Sequence, residues 1–136
     1  MKSWIWLRAA SLVLFLLGVG HGIGQIHPAP PPPRAAPVLA AMKDVHFQME
    51  GLTRTVWDFY NGFSIASVIS VIALATVIWQ LSGLARTQAR LIRPIIITLV
   101  AGQALFSYVC WTDLIYPPAI FSTLATICLL FAAIGT

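Results

Sequence analysis

Long apolar stretches separated by short polar breaks dominate the chain. Apolar runs without Asp, Glu, Lys or Arg cover 9–26, 59–85, 94–112 and 114–136, or 18, 27, 19 and 23 residues. A helix rising ~1.5 Å per residue needs about 20 apolar residues to cross a ~30 Å hydrocarbon core. All four runs qualify, the first once Arg8 snorkels and the span begins near Trp4. None shows the period-two alternation of a barrel strand. With no water in the hydrocarbon, each span must satisfy its own backbone, so each is a helix. The pattern predicts an all-α fold, an integral membrane four-helix bundle in a single domain, with spans near 4–26, 56–84, 92–113 and 117–135. The alternative is three spans after signal-peptide cleavage, because Lys2, Arg8, an apolar stretch and Gly18, Gly20 and Gly22 imitate a secretory signal. Against it stand the missing A-x-A site and the early Trp4 and Trp6.

Local signals agree with these limits. Arg86, Arg90 and Arg93 break the second and third spans apart, and Pro94 suits a first helical turn. Pro117 and Pro118 cannot continue a helix but can begin one. Trp4, Trp6, Trp57, Tyr60, Trp79, Trp111 and Tyr116 fall near span ends, as in an interfacial aromatic belt. Residues 27–37, with Pro28 and the run Pro30 to Pro33, read as an extended Pro-rich outer loop. Val38, Met42, Val45 and Met49 then recur at helical spacing, which predicts an amphipathic surface helix over 38–50 stopped by Gly51.

Polar groups inside a membrane are costly, so their placement is informative. On the first span, Gly18, His21, Gly22 and Gln25 share one face, and the pairs Gly18/Gly22 and Gly20/Gly24 would let another helix approach closely. On the second, Asp58, Asn61, Gly62 and Ile65 share a face, with Gly62 as a further packing residue. On the third, Gln103, Ser107, Cys110 and Asp113 do so. Up-and-down topology carries His21, Asp58, Asn61, Ser107 and Asp113 to one side of the membrane. The expectation is an outward-facing polar pocket drawing on His21, Gln25, Arg54, Asp58, Asn61, Ser107 and Asp113. Plain structural roles compete: Arg54 and Asp58 are spaced i,i+4 as an interfacial ion pair, Asp113 sits at a span end, and His21 can pack as a neutral ring.

Composition closes off other classes. The 136 residues are 59% hydrophobic and 9% charged, with mean hydropathy +0.87, against about 25% charged in soluble domains. The net charge of +4 comes from eight Lys/Arg and four Asp/Glu spread along the chain, which forms no nucleic-acid stripe. Five basic residues (Lys2, Arg8, Arg86, Arg90, Arg93) fall on one side and three (Arg34, Lys43, Arg54) on the other. The positive-inside rule then predicts cytoplasmic termini and a periplasmic or extracellular loop over 27–55. No HExxH or CxxC spacing exists, so neither a metal nor a cofactor is expected. Cys110 and Cys128 differ by ~10 Å in depth, too far for a disulfide.

Gly20-His21 with Gly24, then Phe47 and Gly51, the run Arg54-Thr55-x-Trp57-Asp58-Phe59-Tyr60-x-Gly62-Phe63, Trp79-Gln80-Leu81 and Arg93-Pro94 together resemble a family of small, uncharacterised four-helix bacterial membrane proteins. The resemblance spans nearly the whole chain and is most specific around Trp57 to Tyr60. It implies a bacterial inner-membrane location and a four-helix bundle, and no activity. The chain departs from the pattern in its proline run and in Gly22, where a hydroxyl residue would be expected. The function expected is a binding or accessory subunit whose pocket takes a lipid-like ligand or a partner helix, in a homo-oligomer or larger complex within the lipid bilayer. The alternatives are a membrane enzyme or proton-coupled carrier using His21 with Asp58, and a purely structural subunit.

Overall fold

A computed structural model describes residues 2–136. The elements are α1 (Ser3–Ile26), α2 (Ala36–Asp44), β1 (His46–Met49), β2 (Leu52–Thr55), α3 (Val56–Leu84), α4 (Ala89–Asp113) and α5 (Tyr116–Ile134). α1, α3, α4 and α5 are 24, 29, 25 and 19 residues long, and each is apolar enough to cross a membrane. Their outward faces expose Leu12, Leu16, Ile69, Leu105 and Ile120, the surface that acyl chains cover. The protein is a multi-pass membrane four-helix bundle. α4 starts a turn earlier than expected, with Pro94 inside it. The missing N–H frees the Arg90 carbonyl, near the helix start where water reaches it.

Chain order and spatial order differ. α1 packs on α3 on one side and on α5 on the other, and α5 packs in turn on α4. The helices therefore run α3–α1–α5–α4 across the bundle, and the sequential neighbours α3 and α4 barely touch. The apolar core lies toward the end that holds the first residues of α1 and the last of α5. Leu7, Ala10 and Leu14 of α1 meet Ala75, Ile78 and Leu81 of α3, Ile92 and Ile96 of α4, and Ala125, Leu129 and Ala132 of α5. Trp6 stacks on Phe131 there, with centroids 4.7 Å apart. Toward the opposite end, the hairpin end, the burial of α3 falls away and a gap opens between α3 and α4.

The 38–50 segment does not form one helix. α2 stops at Asp44, and β1 and β2 form an antiparallel hairpin in the register His46↔Thr55 and Met49↔Leu52. Glu50 (φ 52) and Gly51 (φ 81) make its two-residue turn, and positive φ at both positions matches the twist of paired strands. Tertiary contact decides against helix here. Phe47 stacks on Phe59 of α3 at 5.1 Å, while Lys43 sits 4.9 Å over the Trp57 ring. Thr55 ends β2 and caps α3, so strand and helix join without a loop.

Candidate functional site

A polar seam joins α1 to α3. The Ser11 hydroxyl donates to the Ala75 carbonyl at 2.7 Å. A Cβ on Gly18 would lie 2.7 Å from Ile72 Cγ1, and one on Gly22 3.4 Å from Val68 Cγ1. Bare backbone at these two positions lets the helices close. The hairpin end of the seam is built on Ser64, whose Oγ lies 2.9 Å from His21 Nε2 and accepts a hydrogen bond from Gln25 Nε2. One hydroxyl has a donor and two acceptor lone pairs, enough for both partners. Gly18, His21, Gly22 and Gln25 thus act as one face. Gly20, Gly24 and Gly62 have nothing within 4 Å of an added Cβ, so within this chain they mediate no close approach.

The remaining candidates fall in other places. Asp58 closes a capping box with Thr55: Oδ2 accepts from the Thr55 N–H at 2.8 Å, and the Asp58 N–H donates to Thr55 Oγ1 at 3.1 Å. Arg54 donates to the Thr53 carbonyl at 3.0 Å. Asp58 stands six residues before Ser64, ~9 Å of helix rise. His21 and Asp58 hold different partners, and no hydrogen bond joins them among the described residues. Asn61 is half-buried between these two levels of α3. Ser107 belongs to the α4–α5 contact, where Thr123 Oγ1 lies 2.8 Å from its hydroxyl and accepts from Trp111 Nε1 at 2.9 Å. Asp113 accepts from its neighbour Thr112.

What opens outward is a trough along α3. Its hairpin-end part is a cleft of ≈ 400 Å³ lined by Glu50, Arg54, Asp58, Phe59 and Gly62. A second cleft of ≈ 560 Å³ lies between α3 and α4, with Ser70 and Leu74 on one wall, Thr98, Gly102 and Gln103 on the other, and Leu129 of α5 also lining it. Phe63 and Ala66 line both, so the two clefts adjoin along α3. From Asp58 to Leu74 the trough follows α3 for ~24 Å. It therefore runs from a charged rim to well inside the hydrocarbon. Comparison with protein-family models, curated proteins and solved structures finds no match to this chain.

Two of the trough's lining hydroxyls are satisfied within their own helices: Ser67 donates to the Phe63 carbonyl and Thr98 to that of Pro94. Gln103 differs. It sits near the middle of α4, is 5% exposed, and its amide nitrogen is buried with no hydrogen-bond partner. A buried donor left unmade costs about 1–3 kcal/mol, and more groups compete for it in water than in hydrocarbon. Among the described residues no cluster of three His, Cys, Asp or Glu could hold a metal. Ser64, Thr123 and the role of Gln103 escape the sequence reading. Ser64 lies three residues after Asn61, and that helical spacing was the signal available.

Proposed function

We propose that the protein is a binding or accessory subunit that takes a lipid-like amphiphile into the trough along α3. The observation that carries this reading is the unpartnered Gln103 amide in the trough wall, at the depth of the membrane interior. An amphiphile with its polar head at Arg54 and Asp58 and an oxygen-bearing tail would lie along Phe63 and Ala66 and give Gln103 its partner. The amide can present either its NH2 or its carbonyl by turning about its last torsion, so an ester, a quinone-type carbonyl or a hydroxyl suits it. The acid–base reading of His21 with Asp58 has less support, because both groups already serve backbone or helix–helix contacts.

Photo-crosslinking with a lipid analogue tests the reading. Label is expected on trough residues such as Phe63 and Phe106, and Gln103→Leu is expected to lower it about tenfold, or ~1.4 kcal/mol, without lowering thermal stability. Equal labelling of both proteins, or label confined to other faces, would overturn it. A second reading is a partner helix in the same trough, favoured by Gly62, Ala66 and Ser70, spaced four apart and exposed, as small-residue helix contacts are. It requires a larger assembly after mild extraction that Ala66→Leu dissociates. The resemblance described above supports a bacterial inner-membrane location for this reading. The charge asymmetry between the two ends supports cytoplasmic termini.

A further inference from the structure

The acids Asp44, Glu50, Asp58 and Asp113 all lie at the hairpin end. The opposite end, where α1 begins, α3 ends and α4 begins, carries Lys2, Arg8, Arg86, Arg90 and Arg93 and no acidic side chain. Two of those cations are organised. Arg8 Cζ stands 5.2 Å from the Trp4 ring centroid and 4.8 Å from that of Trp79. Arg86 Cζ stands 4.5 Å from the same Trp4 ring. The Arg8 Nε is buried and has no hydrogen-bond partner.

Ring faces offset part of a cation's charge, but they do not replace hydrogen-bond acceptors. A guanidinium carries five N–H donors in a fixed fork and accepts nothing. Two guanidiniums beside one indole carry like charges, and an anion held next to them relieves the repulsion. No acidic side chain of this end is placed to do so. Arg8 lies five residues into α1, ~8 Å of rise, and Arg86 two residues beyond the end of α3, so the pair stands at headgroup depth. Ile5 and Leu12, at i−3 and i+4 from Arg8, are exposed apolar residues, as is Trp79. Leu12 and Trp79 lie deeper than the cations and, with Ile5 beside Arg8, offer a lipid-facing surface on which acyl chains can lie.

We propose that Arg8 and Arg86, held by the Trp4 and Trp79 rings, bind the phosphate of an anionic phospholipid in the leaflet at this end. Arg–phosphate pairs are bidentate and charge-assisted, so the bound phosphate takes up donors that the rings leave free. The site is separate from the trough, and each stands if the other fails.

Native mass spectrometry of the full chain, equilibrated with equimolar phosphatidylglycerol and phosphatidylcholine of the same chains, reads the site directly. The wild type is expected to retain phosphatidylglycerol over phosphatidylcholine at least tenfold. Arg8→Gln/Arg86→Gln is expected to retain them about equally. Arg90→Gln/Arg93→Gln removes the same charge from positions without ring contacts and is expected to keep the preference. If the double variant does not fold, Arg86→Gln alone, in an exposed turn, is expected to lower the preference severalfold. Equal retention by the wild type, an undiminished preference in the Arg8/Arg86 variants, or an equal loss in the Arg90/Arg93 control would overturn the proposal. Displacement of the lipid by millimolar inorganic phosphate would overturn the lipid as its ligand.

Discussion

Ser64 serves two side chains of α1, and so it tests whether the seam matters to the fold. Ser64→Ala strands His21 and Gln25 together. It is expected to cost about 0.6 kcal/mol, the average for interhelical hydrogen bonds in membranes, and up to about 1.7 kcal/mol, the largest found, read as a lower midpoint in detergent unfolding. Ser67→Ala is the control, because that hydroxyl donates to the carbonyl of its own helix, and its midpoint should stay within about 0.5 kcal/mol. The glycines divide in the same way. Gly18→Leu forces a side chain into Ile72 and is expected to cost about 1–3 kcal/mol. At Gly20 an added Cβ has nothing within 4 Å, so Gly20→Leu should leave the stability within about 0.5 kcal/mol. Equal effects of the two leucines would remove the close approach of α1 to α3 as a source of stability. The Gly18, His21, Gly22 and Gln25 face was legible because it follows the helical period. Its partner was not: a span apolar on every side has no hydrophobic stripe to say which of its hydroxyls meets a neighbour.

Elements differ in how openly the sequence declares them. Span limits follow from hydrocarbon thickness and charge, two long-range properties of composition, so the α3 limits and the end of α4 fall where the charges predict. The segment between α1 and α3 answers to tertiary contact instead. Val38, Met42, Val45 and Met49 have helical spacing, yet the stacking of Phe47 on Phe59 and the left-handed turn at Glu50-Gly51 end the helix at Asp44. The Thr55 cap links hairpin to helix. Thr55→Ala is expected to cost about 0.5–2 kcal/mol, typical of a lost N-cap. Amide exchange should rise across 56–60 and stay unchanged across 70–80. Uniform exchange along α3 would show that the cap does not hold its first turn.

At the scale of the molecule, four crossings put the 27–55 segment on one side of the membrane and the 85–88 turn on the other. Cysteines introduced at Arg34 and Arg90 are expected to react with an impermeant maleimide from opposite sides. Labelling of both from one side would remove a span. The candidate pocket was only partly legible at this scale, since chain order gives no warning that α3 and α4 are not neighbours. That order in space, α3–α1–α5–α4, has a consequence for biosynthesis. When α4 leaves the ribosome, its main packing partner, α5, has not yet been made, and the α3 hairpin mate beside it offers little surface. α4 must wait in lipid until α5 arrives and wedges between it and α1. Assembly is therefore completed only with the synthesis of α5, and a chain truncated after Asp113 would leave α4 a loose span, open to quality-control proteases.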